Sequence, residues 1–491
     1  MSLSIPIPPF HMRDCRNFSA GTKQRTRGTA LVVLFLFLTS CSKNADQPVP
    51  PVGSSGELVA VTRESPTTLY TDPQGHYAGL EFDLVNLFAQ RLDVKFRFVI
   101  LQDFSQTLPA LLRHQAHLAA AGLAVTPERK TQLAFSIPYQ TIRQQVVYNT
   151  DTPKPKGILD LIGKKIEVVA GSSHTEMLRE IVIQHPQLKW TERNIQDSEE
   201  LLGKVADGAI DYTLADSNLV EVAKNYYPNI EAAFNLGPPQ YLAWAFPADA
   251  ELWLIERADD FFARIAEDGT LQRLLDRYYG HLQRLNQNDV GEFLEKRAAL
   301  LPRYRSLFQE AQELSGIDWR LLAALSYQES HWNPLATSPT GVRGLMMLTS
   351  DTADRMKVSD RLDPEQNISA GARYLAELKS AMPARIKEPD RSWNALAAYN
   401  VGFAHLEDAR ILAQRQKLDP DFWLNLKKTL PLLNRRQYYS TVKHGFARGG
   451  EPVIFVENVR TYYDILVKYE APYNPAGPDL TGDVPTAPLG P

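Results

Sequence analysis

Two kinds of hydrophobic pattern divide the chain. Between residues 57 and 280, short apolar runs alternate with segments in which apolar residues recur every three or four positions. The runs ELVAVTR at 57–63 and VKFRFVIL at 94–101 predict strands, and LEFDLVNLFAQRL at 80–92 predicts a helix between them. This order predicts a two-lobed α/β domain with largely parallel sheets over residues 57–280.

A second region, residues 299–471, has a helical periodicity throughout and predicts a mostly α domain. The polar and charged segment 281–298 predicts either a helical linker between the two domains or the first cover of the second domain. The sequence therefore predicts a multi-domain protein. The predicted helices of the second domain are 302–315, 318–329, 350–356, 364–381, 391–412, 421–429 and 435–444.

The N-terminus predicts a secretory signal peptide over residues 1–40, with Met1 or Met12 as the start. Basic residues between positions 13 and 27 precede the apolar run TALVVLFLFLTSC, which is too short to span a bilayer. The end of this run, LTSC, resembles a bacterial lipobox, which implies cleavage before Cys41 and lipid attachment to it. Ser42 in the next position points to the periplasmic face of the outer membrane. The alternative is an ordinary cleaved signal with a chance cysteine.

Composition narrows the classes of partner and of site. The chain has 53 Lys and Arg against 57 Asp and Glu, so it lacks the basic excess of a nucleic-acid-binding protein. Both cysteines, Cys15 and Cys41, precede the first domain, which excludes a disulfide framework or a thiolate metal site in the folded part. Residues 41–56 are rich in Pro, Ser and Gly and predict a flexible tether, and 472–491 predict a disordered tail.

Four stretches of the α/β domain carry a family resemblance. They are GHYAGLEFDLVNLFAQRL (75–92), AAAGLAVTPERKTQLAFSIPY (119–139), AGSSHTEML (170–178) and DYTLADSNLV (211–220). The set resembles the family 3 solute-binding proteins. That resemblance implies a periplasmic-binding-protein-like fold with a ligand cleft between two lobes.

The resemblance also implies ligand contacts. Arg129 would grip a ligand carboxylate through parallel N–H bonds, and Asp216 would hold an ammonium group. Gly122 matches a backbone contact, and Ser172 lies at a helix N-terminus that favours anions. Ala124 stands where the family often has Thr or Ser, so one hydroxyl contact is missing. The expected ligand is a muropeptide stem peptide, and a scaffold that has lost its ligand is the alternative.

In the helical domain, the segment DWRLLAALSYQES (318–330) is apolar on most sides and predicts a buried helix. Glu329 lies at its end and would be partly desolvated. Desolvation raises the pKa of a carboxyl group, and a protonated Glu is what a glycosidic oxygen needs as general acid.

Three further stretches carry a second resemblance: ESHWNPLATSPTGVRGLMMLTSDTA (329–353), NISAGARYLAEL (367–378) and ALAAYNVGFAHLEDA (395–409). They resemble the lytic transglycosylases with the goose-lysozyme-like fold. By position, this implies Glu329 as catalytic acid and base, with Ser338 and Tyr399 beside it and the sugar. Asn400 would hold local backbone in the substrate site, and Met347 stands where many relatives have Gln.

No second acid lies in a matched motif, and Glu407 and Asp408 are expected to face solvent. A retaining hydrolase uses a second carboxylate, whereas a lone acid suffices when the substrate supplies its own nucleophile. In the family, the N-acetyl group and the C6 hydroxyl of N-acetylmuramic acid do so, and the product is a 1,6-anhydro sugar. The expected substrate is the peptidoglycan glycan strand, with no metal and no cofactor. The alternatives are an amino-acid or muropeptide receptor with a non-catalytic peptidoglycan-binding domain, and a hydrolytic lysozyme.

Overall fold

The computed structural model describes residues 48–71, 76–282 and 285–474. The predicted signal peptide, Cys41 and residues 475–491 of the predicted tail lie outside these ranges. Within them, no helix combines the length and the apolar character that crossing a bilayer requires.

The α/β domain contains eight helices and fourteen strands among the described residues. Its helices are α1 (Val52–Ser55), α2 (Leu80–Leu92), α3 (Thr107–Leu112), α4 (Ser173–Gln184), α5 (Glu199–Ala206), α6 (Ser217–Lys224), α7 (Leu252–Glu267) and α8 (Thr270–Tyr279). Its strands are β1 (Glu57–Arg63), β2 (Tyr70–Thr71), β3 (Tyr77–Ala78), β4 (Lys95–Leu101), β5 (Leu118–Ala119), β6 (Leu133–Phe135), β7 (Gln140–Ile142), β8 (Gln144–Asn149), β9 (Ile166–Val169), β10 (Thr191–Arg193), β11 (Tyr212–Asp216), β12 (Ile230–Asn235), β13 (Gln240–Leu242) and β14 (Ala245–Pro247).

The strands form two five-stranded sheets, one in each lobe. Lobe 1 has the order β4-β1-β5-β14-β6 and lobe 2 the order β10-β9-β11-β8-β12. Each sheet has two parallel and two antiparallel pairings, so the expectation of largely parallel sheets is wrong. The reason is the path of the chain, which enters lobe 2 after β7 and returns to lobe 1 after β13. These two strands pair with each other and form the hinge between the lobes.

The helical domain surrounds one central helix. Its helices are α9 (Gln287–Ala299), α10 (Arg305–Ser315), α11 (Trp319–Ser330), α12 (Ser350–Arg355), α13 (Pro364–Ala381), α14 (Asp390–Val401), α15 (Phe403–Arg415), α16 (Trp423–Thr429), α17 (Arg436–Tyr439) and α18 (Gly450–Tyr469). Every residue of α11 from Trp319 to Tyr327 is buried, as the apolar pattern predicts. The long helix α18 packs along α11.

Buried apolar side chains correct one predicted boundary and decide between the two alternatives predicted for segment 281–298. Residues 48–56, expected to belong to the flexible tether, lie on lobe 1: Val52 is 1% exposed and the Val49 N–H donates to the His114 carbonyl at 2.7 Å. Most of the predicted linker 281–298 is helix α9, in which Val290 and Phe293 join the core of the helical domain. These side chains lie one helical turn apart, so a single narrow face suffices to bury them.

Helix α18 contacts both lobes of the α/β domain. Arg460 Nη2 donates to the carbonyl of Asp276 on α8 at 3.1 Å, and Asp464 pairs with His281 at 2.5 Å. At the C-terminal end of α18, Lys468 pairs with Glu199 of lobe 2. The helix that packs on α11 therefore also joins the helical domain to each lobe.

Glu457 is the fully buried acid at the centre of α18. Its carboxylate accepts bonds from Arg460 at 2.9 Å, from Lys427 at 3.1 Å and from the Trp423 indole at 2.7 Å. Burial alone would raise the pKa of Glu457, but the charges of Arg460 and Lys427 outweigh burial and lower the pKa. The ionised group therefore stabilises the fold above the pKa of an unfolded Glu, and this contribution is lost as the pH falls.

We expect Glu457→Gln to lower the free energy of unfolding at pH 7 by about 3 kcal/mol, because Lys427 and Arg460 lose their fully buried counter-charge and keep only Asp276 as a partner. The measurement is urea unfolding followed by tryptophan fluorescence at pH 7 and pH 4. The matched control is Glu451→Gln in the exposed first turn of α18, which should cost less than about 0.5 kcal/mol. Equal stability of both variants at pH 7 would contradict this account of α18.

Candidate active site

Helix α11 positions Glu329 in its last turn. The helix begins at an N-cap, where the Asp318 carboxylate accepts the Arg320 N–H at 2.9 Å. It ends abruptly because His331 and Trp332 both adopt left-handed backbone conformations, with φ of 52° and 57°. The Trp332 indole then donates back to the Ala323 carbonyl at 2.9 Å and closes the end of the helix.

The Glu329 carboxyl group is enclosed by protein, although the residue as a whole keeps some exposed surface. Desolvation by burial raises the pKa of Glu329 to about 8, and burial is the only cause of this shift. A neighbouring cation would have lowered the pKa and a neighbouring carboxylate would have raised it further. The group is therefore an electrostatically isolated acid that is mostly protonated at neutral pH.

Serine and tyrosine hydroxyls fix the loop that faces Glu329. Ser326 and Ser330 of α11 both donate to the Leu345 carbonyl, at 3.0 and 2.9 Å. The Tyr399 hydroxyl of α14 donates to the Met346 carbonyl at 2.8 Å. The loop backbone is thus tied to two helices by buried or half-buried hydrogen bonds.

Asn367 of α13 ties the same loop from a third direction. Its fully buried amide accepts the Met346 N–H at 2.6 Å and donates to the carbonyls of Arg343 and Arg361 at 3.1 and 2.8 Å. Gly344 leaves the space for this amide: a Cβ there would lie 2.3 Å from Asn367 Nδ2 and 2.1 Å from the Arg361 oxygen. The positive φ of Gly344, +85°, also favours glycine.

The residues matched to the lytic transglycosylase motifs differ in burial, backbone conformation and hydrogen bonding. Burial, followed by the nearby charge of Glu329, raises the pKa of Tyr399, so this ring is close to the acid. The Ser338 hydroxyl shares a hydrogen bond with the Thr340 hydroxyl at 2.9 Å inside its turn. Met347 is half-buried and has a left-handed backbone conformation, with a φ of +45°. Asn400 is exposed.

Asp408 corrects one expectation. It was expected to face solvent but is buried, and its carboxylate accepts the backbone N–H groups of Lys443 and His444 at 3.2 and 2.8 Å. Its neighbour Glu407 is half-exposed and pairs with Arg410 at 2.7 Å. Asp408 therefore caps a loop of the helical domain, a role that only its tertiary partners show.

The four predicted ligand residues of the α/β domain line one cleft between the lobes, but each is already engaged. The Gly122 N–H donates to Glu81 at 3.0 Å, and the Ser172 hydroxyl donates to the Val169 carbonyl at 2.6 Å. Asp216 pairs with His174 at 3.1 Å, and Arg129 pairs with Glu176 at 2.8 Å. The cleft is closed in this structure, with an internal cavity of about 30 Å³.

Several functional candidates were missed from sequence. Asn367 and Ser330 belong to quoted motifs, yet their roles depend on which loop carbonyls they reach. His174 and Glu176 lie within AGSSHTEML. An acid in the first turn of a helix is stabilised by the helix dipole, so Glu176 gave no sign of a contact with the other lobe. Over the described ranges, no group of three or more His, Cys, Asp or Glu side chains is arranged to hold a metal ion.

Comparisons with known proteins agree with the two-domain division. Residues 306–421 match the family model of the transglycosylase SLT domain, and residues 58–281 match that of the bacterial extracellular solute-binding proteins, family 3. Among solved structures, a mutant of ArgBP from T. maritima is 22% identical with a TM-score of 0.43, covering 47% of this chain and 97% of that one.

Two similar full-length relatives are both membrane-bound lytic murein transglycosylase F. That of Methylobacillus flagellatus is 50% identical over 92% of this chain and 96% of its own length. That of Nitrosospira multiformis is 51% identical over 92% of this chain and 94% of its own length. The chain therefore belongs to the family of membrane-bound lytic murein transglycosylase F.

Proposed function

We propose that this lytic transglycosylase cleaves the β-1,4 bond between N-acetylmuramic acid and N-acetylglucosamine and leaves a 1,6-anhydro-N-acetylmuramic acid end. The observation that supports the proposal is the isolated Glu329 carboxyl group, whose pKa is raised to about 8 by desolvation alone. A second carboxylate close enough to act as nucleophile would add its repulsion to this shift.

In this mechanism Glu329 acts twice. Protonated at neutral pH, it donates its proton to the glycosidic oxygen as the bond to C1 breaks, and the N-acetyl oxygen attacks C1. The resulting carboxylate then accepts the proton of the C6 hydroxyl while the C6 oxygen forms its bond to C1 and displaces the N-acetyl oxygen, which restores the N-acetyl group. Glu329 regains its proton, no water is consumed, and no second acid is required.

The surrounding residues are proposed to shape the site. Tyr399 holds the Met346 carbonyl and keeps water from one side of the acid. Ser338, in the turn that follows α11, is proposed to contact the sugar. Met347 and Asn400 are proposed as further substrate contacts. The half-buried thioether of Met347 offers apolar contact where many relatives would offer an amide.

The remaining parts of the chain are proposed to place the enzyme at its substrate. Cys41 is the proposed lipid attachment site, on the periplasmic face of the outer membrane. Both relatives are named membrane-bound, which agrees with an anchor of some kind. The α/β domain is the proposed ligand-binding domain, with muropeptide stem peptides as ligands because they carry free carboxylate and ammonium groups.

Glu329→Gln should stabilise the fold at neutral pH. Below pH 4.5 the carboxyl is neutral in both the folded and the unfolded chain, so the variant and the wild type should unfold alike. Between pH 4.5 and about 8 only the unfolded chain ionises, and the wild type loses stability as the pH rises. We expect the variant to be more stable by about 2–4 kcal/mol at pH 7.5. Urea unfolding at pH 4 and pH 7.5 measures this difference, and a constant difference would contradict the raised pKa.

The products should carry 1,6-anhydro ends, one water lighter than hydrolysed ends. The test is mass spectrometry of muropeptides released from purified sacculi. Glu329→Gln should lower the release rate by at least about 10²-fold, whereas the control Glu407→Gln should release the same product at nearly the wild-type rate. Products with mainly free reducing ends would instead identify a hydrolase.

Cys41→Ser should move the protein from the membrane fraction to the soluble periplasmic fraction, because the proposed acyl chains would have no attachment site. The measurement is immunoblotting of detergent-free fractions. Cys15→Ser is the matched control and should leave the distribution unchanged. Membrane pelleting of the Cys41 variant at the wild-type level would rule out this residue as the required anchor.

A further inference from the structure

The carboxylate-gripping position of the cleft already holds a carboxylate. Arg129 Nε donates to Glu176 Oε1 at 2.8 Å, and the two side chains are only 2% and 12% exposed. Arg129 Nη1 and Nη2 donate to the carbonyls of Ala124 and Gly171, each at 3.2 Å. All three nitrogens of the guanidinium group are therefore engaged by the chain itself.

This ion pair spans the two lobes. Arg129 lies between β5 and β6 of lobe 1, whereas Glu176 lies in the first turn of α4 in lobe 2. A second connection lies beside it, where the Phe104 N–H of lobe 1 donates to the Ile195 carbonyl of lobe 2 at 3.0 Å. The cavity that remains, about 30 Å³, has room for water but not for an amino acid.

Only one of the two carboxylate oxygens of Glu176 is hydrogen-bonded in this position. Its second oxygen, Oε2, is buried and has no hydrogen-bond partner among the described residues. His174 Nδ1, which also borders the cleft, is likewise buried without a partner in that part of the chain. An unsatisfied buried oxygen reduces the net stabilisation from an ion pair. A carboxylate that satisfied both of its oxygens would be a better partner for Arg129.

We propose that Glu176 is a built-in carboxylate that holds the lobes closed, and that a carboxylate-bearing ligand enters the cleft by replacing Glu176 at Arg129. In the closed cleft, Glu176 of the domain itself then occupies the position at Arg129 that a ligand carboxylate would take. Opening it requires that Glu176 leave the guanidinium group, and an external carboxylate can restore the pairing. The proposal rests on the proposed ligand-binding role of the α/β domain, and it is independent of the identity of the natural ligand and of the reaction at Glu329.

The test is hydrogen exchange by mass spectrometry on the full chain, followed in the peptide that contains the Phe104 amide. Glu176→Ala should speed exchange there by about tenfold or more, because the pair that holds the lobes together is lost. Acetate has the size and charge of the atoms removed beyond Cβ, so acetate should restore protection. The neutral isostere acetamide should not. The matched control, Glu180→Ala, alters an exposed acid one turn further along α4 and should change nothing.

Three results would overturn the proposal: unchanged exchange at Phe104 in Glu176→Ala, an equal increase in Glu180→Ala, or equal restoration by acetamide. The isosteric variant Glu176→Gln keeps the shape of the side chain and tests the charge alone. It should also speed exchange at Phe104 while the amides of β1 remain protected. Loss of protection at the β1 amides in both Glu176 variants would likewise overturn the proposal, because it would show that the Arg129–Glu176 pair stabilises the fold in general and does not specifically hold the lobes closed.

Discussion

Helix α11 is enclosed by protein along almost its entire length, and the rest of the site depends on this enclosure. The residues from Trp319 to Tyr327 are buried, and α18 packs along them. Water is thereby excluded from the carboxyl at the end of the helix, and the pKa of Glu329 rises to about 8. An exposed Glu would be ionised at neutral pH and could not donate a proton. The raised pKa follows from burial and needs no charged neighbour.

Helix α18, which packs along α11, also links the two domains. It contacts α8 of lobe 1, His281 just after α8, and Glu199 of lobe 2. Because Glu457, Arg460 and Lys427 form a buried network, the position of α18 is fixed by charge pairing as well as by apolar packing. A change in the separation of the lobes would therefore alter contacts of the helix that packs along α11.

Much of this architecture is visible in the sequence, and the exceptions have a common cause. The run 57–63 predicted β1 with its observed bounds, and the segment 318–329 predicted α11 to within one residue, because their apolar patterns are long and regular. Val52 was misjudged because a single apolar side chain among polar residues gives no periodic signal, whereas Val290 and Phe293 form a pattern too short to decide between a linker and the first helix of the next domain. Arg129 lines the cleft between the lobes, but Glu176 lies 47 positions away, and only the fold brings the two together.

The central claim is that one desolvated carboxyl group, Glu329, is protonated at neutral pH. The most direct measurement is a ¹³C NMR titration of the glutamate side-chain carboxyl carbons in the wild type, with Glu329→Gln used to assign the signal that disappears. The account predicts that this signal titrates with a midpoint near 8. A midpoint near 4.5, the ordinary value of a solvated Glu, would contradict it.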